Sequence, residues 1–161
     1  MLLFLLLNIK TKECLLSFYL TAIILSGINN YIIRITRDEV LNKIYGHRIY
    51  YIGIRRNWSK DSTLVFIKKV NSRDDAFIGT GVIDETLELD KLDSSEKKIC
   101  IENNWYKKII FGKLVRFHPA VLVKDTPIIC WIQKGPLLHG HEIRDSDISK
   151  IQSLSSVTIT S

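Results

Sequence analysis

Two apolar, β-branched segments joined by a short polar stretch constrain the fold more than any other feature of the sequence. They run from Leu64 to Asp84, LVFIKKVNSRDDAFIGTGVID. Residues 71–75 between them are short polar or charged side chains that can hydrogen-bond their own backbone, as is typical of turns. The second segment carries Gly79 and Gly81 two residues apart, so both lie on one face of a strand. Glycine inside a strand often marks a bulge, a barrel corner or a close approach by another group. The sequence therefore predicts a hairpin at the centre of a small, strongly bent sheet.

The size and charge of the chain indicate one ordinary globular domain. At 161 residues, with 46% hydrophobic and 25% charged residues, it is large enough to bury a core without disulfides or metals. A formal net charge of +6 permits a polyanionic partner but does not require one. The three cysteines (Cys14, Cys100 and Cys130) are widely spaced and contain no C-x-x-C pair. They favour buried thiols in a reducing compartment, and we expect a cytoplasmic protein.

The first 29 residues form an apolar extension to the expected domain. Met1–Leu7 is wholly apolar and Cys14–Ser26 is largely so, but neither reaches the ~20 residues of a membrane-spanning helix. A buried strand and helix, or an extension from a wrongly chosen start codon, are the favoured explanations. A membrane anchor or an export signal is the alternative. We expect a folded domain over residues 30–152 and a polar tail, frayed or a final edge strand, over 153–161.

The elements before the hairpin read as a strand, a helix and a strand. Tyr31–Ile35 predicts a strand. Thr36 and Glu39 have the spacing of a capping box, which predicts a helix over residues 37–45 that ends at Gly46. Residues 48–54 predict the next strand.

After the hairpin, helices and strands are predicted in turn. Residues 85–92 are acidic and predict a loop. One of residues 93–95 is expected to cap a helix that continues to Ile110, with Asn103 and Asn104 as a point where it breaks or bends. The alternating residues 113–118 predict a half-buried strand, and a short helix capped by Asp145 or Ser146 is expected to end near Leu154.

Motifs for catalysis or metal binding are weak. His139 and His141 supply two metal ligands at most. Gly79 and Gly81 form only G-x-G, within a strand and without the helix of a dinucleotide site. There is no G-x-S-x-G and no phosphate-binding Gly-Lys-Ser/Thr. We expect no cofactor, no metal and no catalytic residue.

The stronger signal is basic residues interleaved with aromatic ones. Residues 55–61, RRNWSKD, predict a surface loop with one tryptophan. Trp58 is either a lid folded onto the core or a platform on which a base stacks, with the arginines on phosphate. The candidate nucleic-acid contacts are Arg55, Arg56, Asn57, Trp58, Lys60, Lys68, Gly79 and Gly81.

The order of elements resembles the PUA-like superfamily, which holds the PUA, ASCH, EVE and YTH domains. The resemblance rests on Lys60–Phe66 (KDSTLVF), Phe77–Ile83 (FIGTGVI) and the strand and polar-proline turn from Phe117 to Ile128, and it suggests an archaeal member. It implies an α+β fold: a bent β-barrel of about five or six mixed strands with three or four helices, covering roughly residues 30–150. In EVE- and YTH-like members aromatic side chains form a pocket for RNA or a modified base. That implies Trp58 as the pocket ring, with Trp105 and Trp131 as further contributors.

These observations favour a non-catalytic module that binds RNA, or a single-stranded or modified nucleic acid, in a basic aromatic cleft. Some ASCH-like members are small hydrolases that use Lys, Thr and Glu, so a hydrolase or base-modifying enzyme in the same cleft is the alternative. A membrane-tethered or protein-interaction module built on residues 1–27 is a third hypothesis.

Overall fold

The computed structural model describes residues 29–130 and 135–160. The expectations for the N-terminal apolar segments and for Trp131 lie outside these residues. None of the described helices is long and apolar enough to cross a membrane.

The described residues form a mixed sheet with three α-helices, as the sequence predicted for an α+β fold. The strands are β1 (Asn30–Ile35), β2 (Ile49–Ile52), β3 (Thr63–Lys69), β4 (Asp75–Glu88), β5 (Lys107–Leu122), β6 (Glu142–Ile143) and β7 (Ser156–Thr160). The helices are α1 (Asp38–His47), α2 (Ser94–Glu102) and α3 (Asp145–Ser153). Short 3-10 turns cover Leu89–Lys91, Val123–Asp125, Pro127–Cys130 and Gly135–Leu138.

The strands pair in the order β2-β5-β4-β3-β1-β6, and β7 adds to β5. Only the β1–β3 pair is parallel among the described strands. The two ends of this order do not meet, so the barrel is open. β1 and β2 lie in different parts of the sheet, which separates the two strands that the sequence placed in one strand-helix-strand unit.

The predicted hairpin is confirmed as the centre of the sheet. β3 and β4 pair antiparallel with one register shift, and β4 and β5 pair with three. Such irregularities bend a strand and increase its twist. Both faces of this ribbon are buried. Leu64 and Phe66 pack with Ile44 of α1 on one face, whereas Val65 and Ile67 pack with Ile151 of α3 on the other, because successive side chains of a strand point to opposite faces.

The ends of α1 differ from the sequence-based prediction. The N-cap residue is Arg37, and no side chain caps this end. Thr36 and Glu39 therefore do not form the expected capping box. The helix continues through Gly46 to His47, and Arg48 ends it in a left-handed conformation with φ 58°. Gly46 is consequently an ordinary helical residue and not the terminating glycine.

The region after the hairpin is more extended than predicted. β4 continues to Glu88 through the stretch expected to be a loop. Asp93 caps α2, as one of the expected residues, by accepting hydrogen bonds from the Ser95 and Glu96 backbone N–H groups at 2.9 Å. The helix ends at Glu102 and does not reach Ile110, because Asn104 adopts φ 56° and the chain then enters β5.

The C-terminal residues extend the sheet. β7 pairs antiparallel with residues 114–118 of β5, which matches the edge-strand alternative for the tail. Cys100 is buried and free.

Candidate functional site

The basic loop between β2 and β3 lies on the surface, as predicted. Arg55, Arg56 and Asn57 are exposed. The Arg55 guanidinium lies 5.6 Å from the centre of the Tyr106 ring. Arg56 Nε donates a hydrogen bond to the Gly140 carbonyl at 3.1 Å. The loop is therefore tied to its neighbours and still presents cationic side chains to solvent.

Trp58 is not a platform in this loop. Its side chain is buried, with 3% of its surface exposed, and its ring meets Tyr31 edge-on with centroids 4.7 Å apart. Its indole N–H donates to the Ile54 carbonyl at 3.0 Å and to the Tyr106 hydroxyl at 2.7 Å. A buried ring with its donor already satisfied offers no face to a base. The lid interpretation describes the observed arrangement, and the stacking role expected for Trp58 does not fit it.

The two lysines in the predicted set lie near opposite ends of β3. Lys60 is exposed and pairs with Asp84 at 2.9 Å, and this pairing raises the pKa of Lys60. Lys68 pairs with Asp38 at the start of α1. Residues 63–68 of an extended strand separate them by roughly 15–20 Å. The structure therefore does not bring these two lysines together.

Gly79 and Gly81 are packing positions. A Cβ atom on Gly79 would approach Tyr45 Oη and the Val115 carbonyl to less than 3.0 Å. A Cβ on Gly81 would meet the rings of Phe111 and Phe66 at 2.7–2.9 Å. The group that comes close to these glycines is the protein's own core, and we find no room there for the ligand that the sequence allowed.

A different part of the molecule holds an open cleft that we call the α1–β2 cleft. It encloses about 600 Å³, within the 300–1,000 Å³ typical of small-molecule sites. It lies between the end of β1, one flank of α1, β2 and the end of α2. The lining side chains are Arg34, Ile35, Thr36, Arg37, Glu39, Val40, Lys43, Ile49, Tyr50, Tyr51, Ile99, Asn103, Trp105 and His139.

One wall of this cleft is aromatic. The rings of Tyr51 and Trp105 stack with centroids 5.3 Å apart and an angle of 10° between their planes. Both are half-buried. Lys43 Nζ lies 5.7 Å from the centre of the Tyr51 ring. Burial raises the pKa of Tyr50 to about 12, so its phenol is neutral and can donate a hydrogen bond.

A carboxylate behind the wall holds Tyr51 in place. The Tyr51 hydroxyl donates to Glu96 Oε1 at 2.5 Å, and Lys108 Nζ donates to the same carboxylate at 2.7 and 3.0 Å. Lys108 and then Tyr51 lower the pKa of Glu96. Burial and the Glu96 carboxylate raise the pKa of Tyr51. The phenol therefore stays protonated and its hydroxyl anchored, which fixes the ring against Trp105.

The charges at the cleft are mixed, with cations in excess. Arg34 makes a two-armed salt bridge to Asp75 at 2.7 and 2.8 Å, so its charge is compensated. Arg37 and Lys43 are exposed and form no ion pair with another described residue. Glu39 is the one carboxylate among the lining side chains. Arg37 and Lys43 therefore outnumber the Glu39 carboxylate, and the cleft carries an excess of one positive charge.

His139 is oriented by the backbone of β1. The Arg34 N–H donates to His139 Nδ1 at 3.0 Å, so a neutral His139 carries its proton on Nε2. Burial, with a smaller contribution from Arg34, lowers the pKa of His139. This side chain is therefore a neutral donor at neutral pH. No cluster of three metal-binding side chains occurs in residues 29–130 and 135–160.

Sequence reasoning missed most of this cleft, because its residues come from four separated segments. Of its residues, the sequence implicates Trp105 as a further contributor to an aromatic pocket and His139 only as one of two weak metal-ligand candidates. The signal available for the others was the adjacent pair Tyr50 and Tyr51 in the strand predicted over residues 48–54, directly after a predicted helix. It could not reveal that the end of α2 returns beside them.

No protein-family model matches this chain, and neither does any curated protein sequence. Solved structures with the same fold do exist. The ASCH protein from Zymomonas mobilis aligns with a TM-score of 0.54 and 10% sequence identity, over 78% of this chain and 94% of that one. A serine-to-alanine mutant of that protein aligns equally well, over 95% of its chain. A tyrosine-to-phenylalanine mutant aligns with a TM-score of 0.53 over 97% of its chain. At this identity the likeness establishes the fold, and the PUA-like resemblance inferred from the sequence is confirmed at that level.

Proposed function

We propose that this protein is an RNA-binding module that takes an unpaired or modified base into the α1–β2 cleft. The observation that carries the proposal is the Tyr51–Trp105 stack. It lines a cleft large enough for one nucleotide, in which two exposed cations outnumber one carboxylate. Aromatic rings are the usual partners of unstacked bases in single-stranded RNA. The ASCH-like fold supports the same class of function.

Each part of the cleft has a role in this proposal. The base packs against the aromatic wall, and Arg37 and Lys43 contact the phosphates on either side of it. Tyr50 and His139 supply neutral donors for acceptor atoms on the base edge. Trp58 supports the fold from within the core and does not contact RNA.

The exposed cations of the β2–β3 loop remain part of the proposal as secondary contacts. Arg56 donates a hydrogen bond to the carbonyl of Gly140, the neighbour of His139 in the chain, so this loop, which also carries Arg55 and Asn57, approaches the cleft through Arg56. Lys60 can exchange its ion pair with Asp84 for a phosphate, because an exposed ion pair contributes only ~0–1 kcal/mol.

The test of the aromatic wall is the affinity of labelled single-stranded RNA, measured by fluorescence anisotropy at fixed salt. Base–aromatic stacking contributes ~1–3 kcal/mol, so Trp105→Leu should weaken binding by about 5–150-fold. Trp58→Phe is the matched control, since it also removes an indole but from the core. Equal affinity of wild type and Trp105→Leu would contradict the proposal.

The test of the phosphate contacts is the salt dependence of the same affinity. The slope of log affinity against log salt is about −0.7 per phosphate contact for single strands. Arg37→Gln combined with Lys43→Gln should therefore make the slope shallower by about 1.4. Lys91→Gln combined with Lys113→Gln makes the same change of charge outside the cleft and should leave the slope unchanged.

A hydrolase acting in the same cleft is a second candidate, favoured by one observation. Thr36, Glu39 and Lys43 line the cleft together, and these are the residue types that ASCH-like hydrolases use. The experiment is incubation with modified nucleosides and oligonucleotides, followed by mass spectrometry. Product that forms with wild type and not with Lys43→Gln would support hydrolysis, and a lack of product across these substrates would contradict it.

A further inference from the structure

We propose that a second groove, on the opposite flank of α1, binds the phosphate backbone of the RNA strand whose base occupies the α1–β2 cleft. The inference rests on the proposed function, because the strand that enters the first cleft is the one that reaches the second. We call this region the β3–β5 groove. It encloses about 430 Å³ and is lined by Leu41, Tyr45, Lys68, Lys69, Val70, Ile78, Arg116, Phe117, His118 and Ala120.

Helix α1 separates the two sites. Glu39, Val40 and Lys43 line the α1–β2 cleft, whereas Leu41 and Tyr45 line the β3–β5 groove. With 3.6 residues per turn, these two sets fall on opposite flanks of the helix. The cleft and the groove therefore run along the two sides of a single ridge.

At Gly46 the exposed surface of α1, between the cleft and the groove, carries no side chain. The residue is exposed, and a Cβ atom placed on it would have no heavy atom within 4 Å. A strand that passes from cleft to groove can therefore approach the helix backbone closely here.

The β3–β5 groove is positively charged. Lys68, Lys69 and Arg116 are the charged side chains among its lining residues, and none of the lining residues is acidic. Asp38 compensates Lys68. Lys69 and Arg116 are exposed and form no ion pair within the described ranges. Two uncompensated cations on one groove are complementary to a polyanion.

Arg116 is held in a fixed place for such a contact. Its guanidinium lies 4.0 Å from the centre of the Tyr45 ring. The Tyr45 hydroxyl in turn donates a hydrogen bond to the Val115 carbonyl at 3.2 Å. A guanidinium that stacks on a ring keeps its N–H groups free to donate at its edge, where phosphate oxygens can accept two hydrogen bonds at once.

The groove recognises backbone and not bases. Its aromatic rings Tyr45 and Phe117 are buried, and Val70 and Ala120 are aliphatic. Apart from the His118 imidazole it therefore offers no ring on which a base could stack. Contacts to phosphate fix the path of a strand without reading its sequence.

The proposal predicts that affinity depends on strand length. A helix with its side chains is about 10 Å across, so a very short RNA fills the first cleft and a longer one also reaches the groove. We would measure anisotropy of the full-length chain with a labelled trinucleotide and with a strand of about ten nucleotides, a length within the footprint of single-strand-binding folds.

Lys69→Gln combined with Arg116→Gln is the test variant, and Lys91→Gln with Lys113→Gln is its control of equal charge. The test variant should lose about tenfold or more in affinity for the longer strand, and its salt slope should become shallower by about 1.4. The loss should be much smaller for the trinucleotide. Lys69→Gln alone provides a variant that does not touch the Arg116–Tyr45 contact, and it should show the same length dependence with a slope change of about 0.7.

The outcomes separate this inference from the proposed function. If binding of both RNAs depends on Trp105 but the groove variants bind the longer strand as tightly as the control, the inference is overturned and the proposed function stands. If the longer strand needs Lys69 and Arg116 while Trp105→Leu binds normally, the base cleft is wrong and the groove stands. Equal losses for both RNA lengths would also overturn the inference.

Discussion

Replacing Gly79 with alanine should destabilise the protein substantially, because the added methyl group has no space. It would meet the Tyr45 hydroxyl and the Val115 carbonyl. The Tyr45 hydroxyl donates a hydrogen bond to this carbonyl at 3.2 Å. The carbonyl belongs to β5, which pairs with β4 along most of its length, so it cannot withdraw alone. Overpacking costs ~1–3 kcal/mol and loss of the hydrogen bond ~0.5–1.5 kcal/mol. We expect the free energy of unfolding to fall by about 2–4 kcal/mol, which is a melting-temperature decrease of roughly 5–15 °C.

Gly46→Ala is the matched control, measured by urea denaturation under the same conditions. It adds the same methyl group to an open helical position, so it should raise the free energy of unfolding by about 0.5–1 kcal/mol. Tyr45→Phe removes one of the two groups that the methyl meets. In that background Gly79→Ala should therefore cost less than in the wild type. A Gly79→Ala protein as stable as the wild type would refute the argument that Tyr45 closes over this glycine.

Three further substitutions test the helix caps and the cleft histidine. Asp93→Ala should lower the free energy of unfolding by about 1 kcal/mol in urea denaturation. Thr36→Ala should change this free energy little, since Thr36 does not cap a helix. Equal losses for the two variants would contradict the cap assignments. His139 has a lowered pKa in the folded state, so below about pH 6.5 the unfolded chain binds more protons and stability falls as the pH falls. His139→Asn keeps an acceptor for the Arg34 N–H and should reduce the fall in melting temperature between pH 7 and pH 5. If the fall is the same in the variant as in the wild type, groups other than His139 cause it.

Local patterns predicted the sheet well. The hairpin, its polar turn and the paired glycines were visible because β-branched runs and turn residues act over a few positions. They were sufficient to identify the class of fold. The sequence could not tell which group would approach the glycines, since Tyr45 and Phe111 are 34 and 30 residues away from Gly79 and Gly81 respectively.

Helix ends were predicted less well, because competing signals met there. Thr36 and Glu39 have the spacing of a capping box, but the helix begins one residue later than that motif requires. Apolar residues at roughly helical spacing continue to Ile110, yet Asn104 takes a left-handed conformation and the same residues become the start of β5. Tertiary pairing with β4 outweighs the local preference there.

The sequence placed the candidate site at the β2–β3 loop, whereas the open cleft of the structure lies between α1 and β2. A surface loop with basic residues and one tryptophan matched the expected composition of an RNA site. Yet Trp58 satisfies its indole N–H inside the core, and burying an indole stabilises a small domain more than exposing it would. The aromatic wall depends instead on Tyr51 and Trp105, residues 54 positions apart, whose meeting follows from the path of the chain and not from any motif.

The most direct test of the proposal that the α1–β2 cleft binds a base is the indole N–H signals of the three tryptophans in a two-dimensional nitrogen–proton NMR spectrum. Single-stranded RNA would be added in steps, with the signals assigned through Trp58→Phe and Trp105→Leu. A base that packs on the aromatic wall should shift the Trp105 signal saturably while the Trp58 signal stays in place. If RNA binds and Trp105 does not shift, or if Trp58 shifts in its stead, the α1–β2 cleft is not where this protein holds a base.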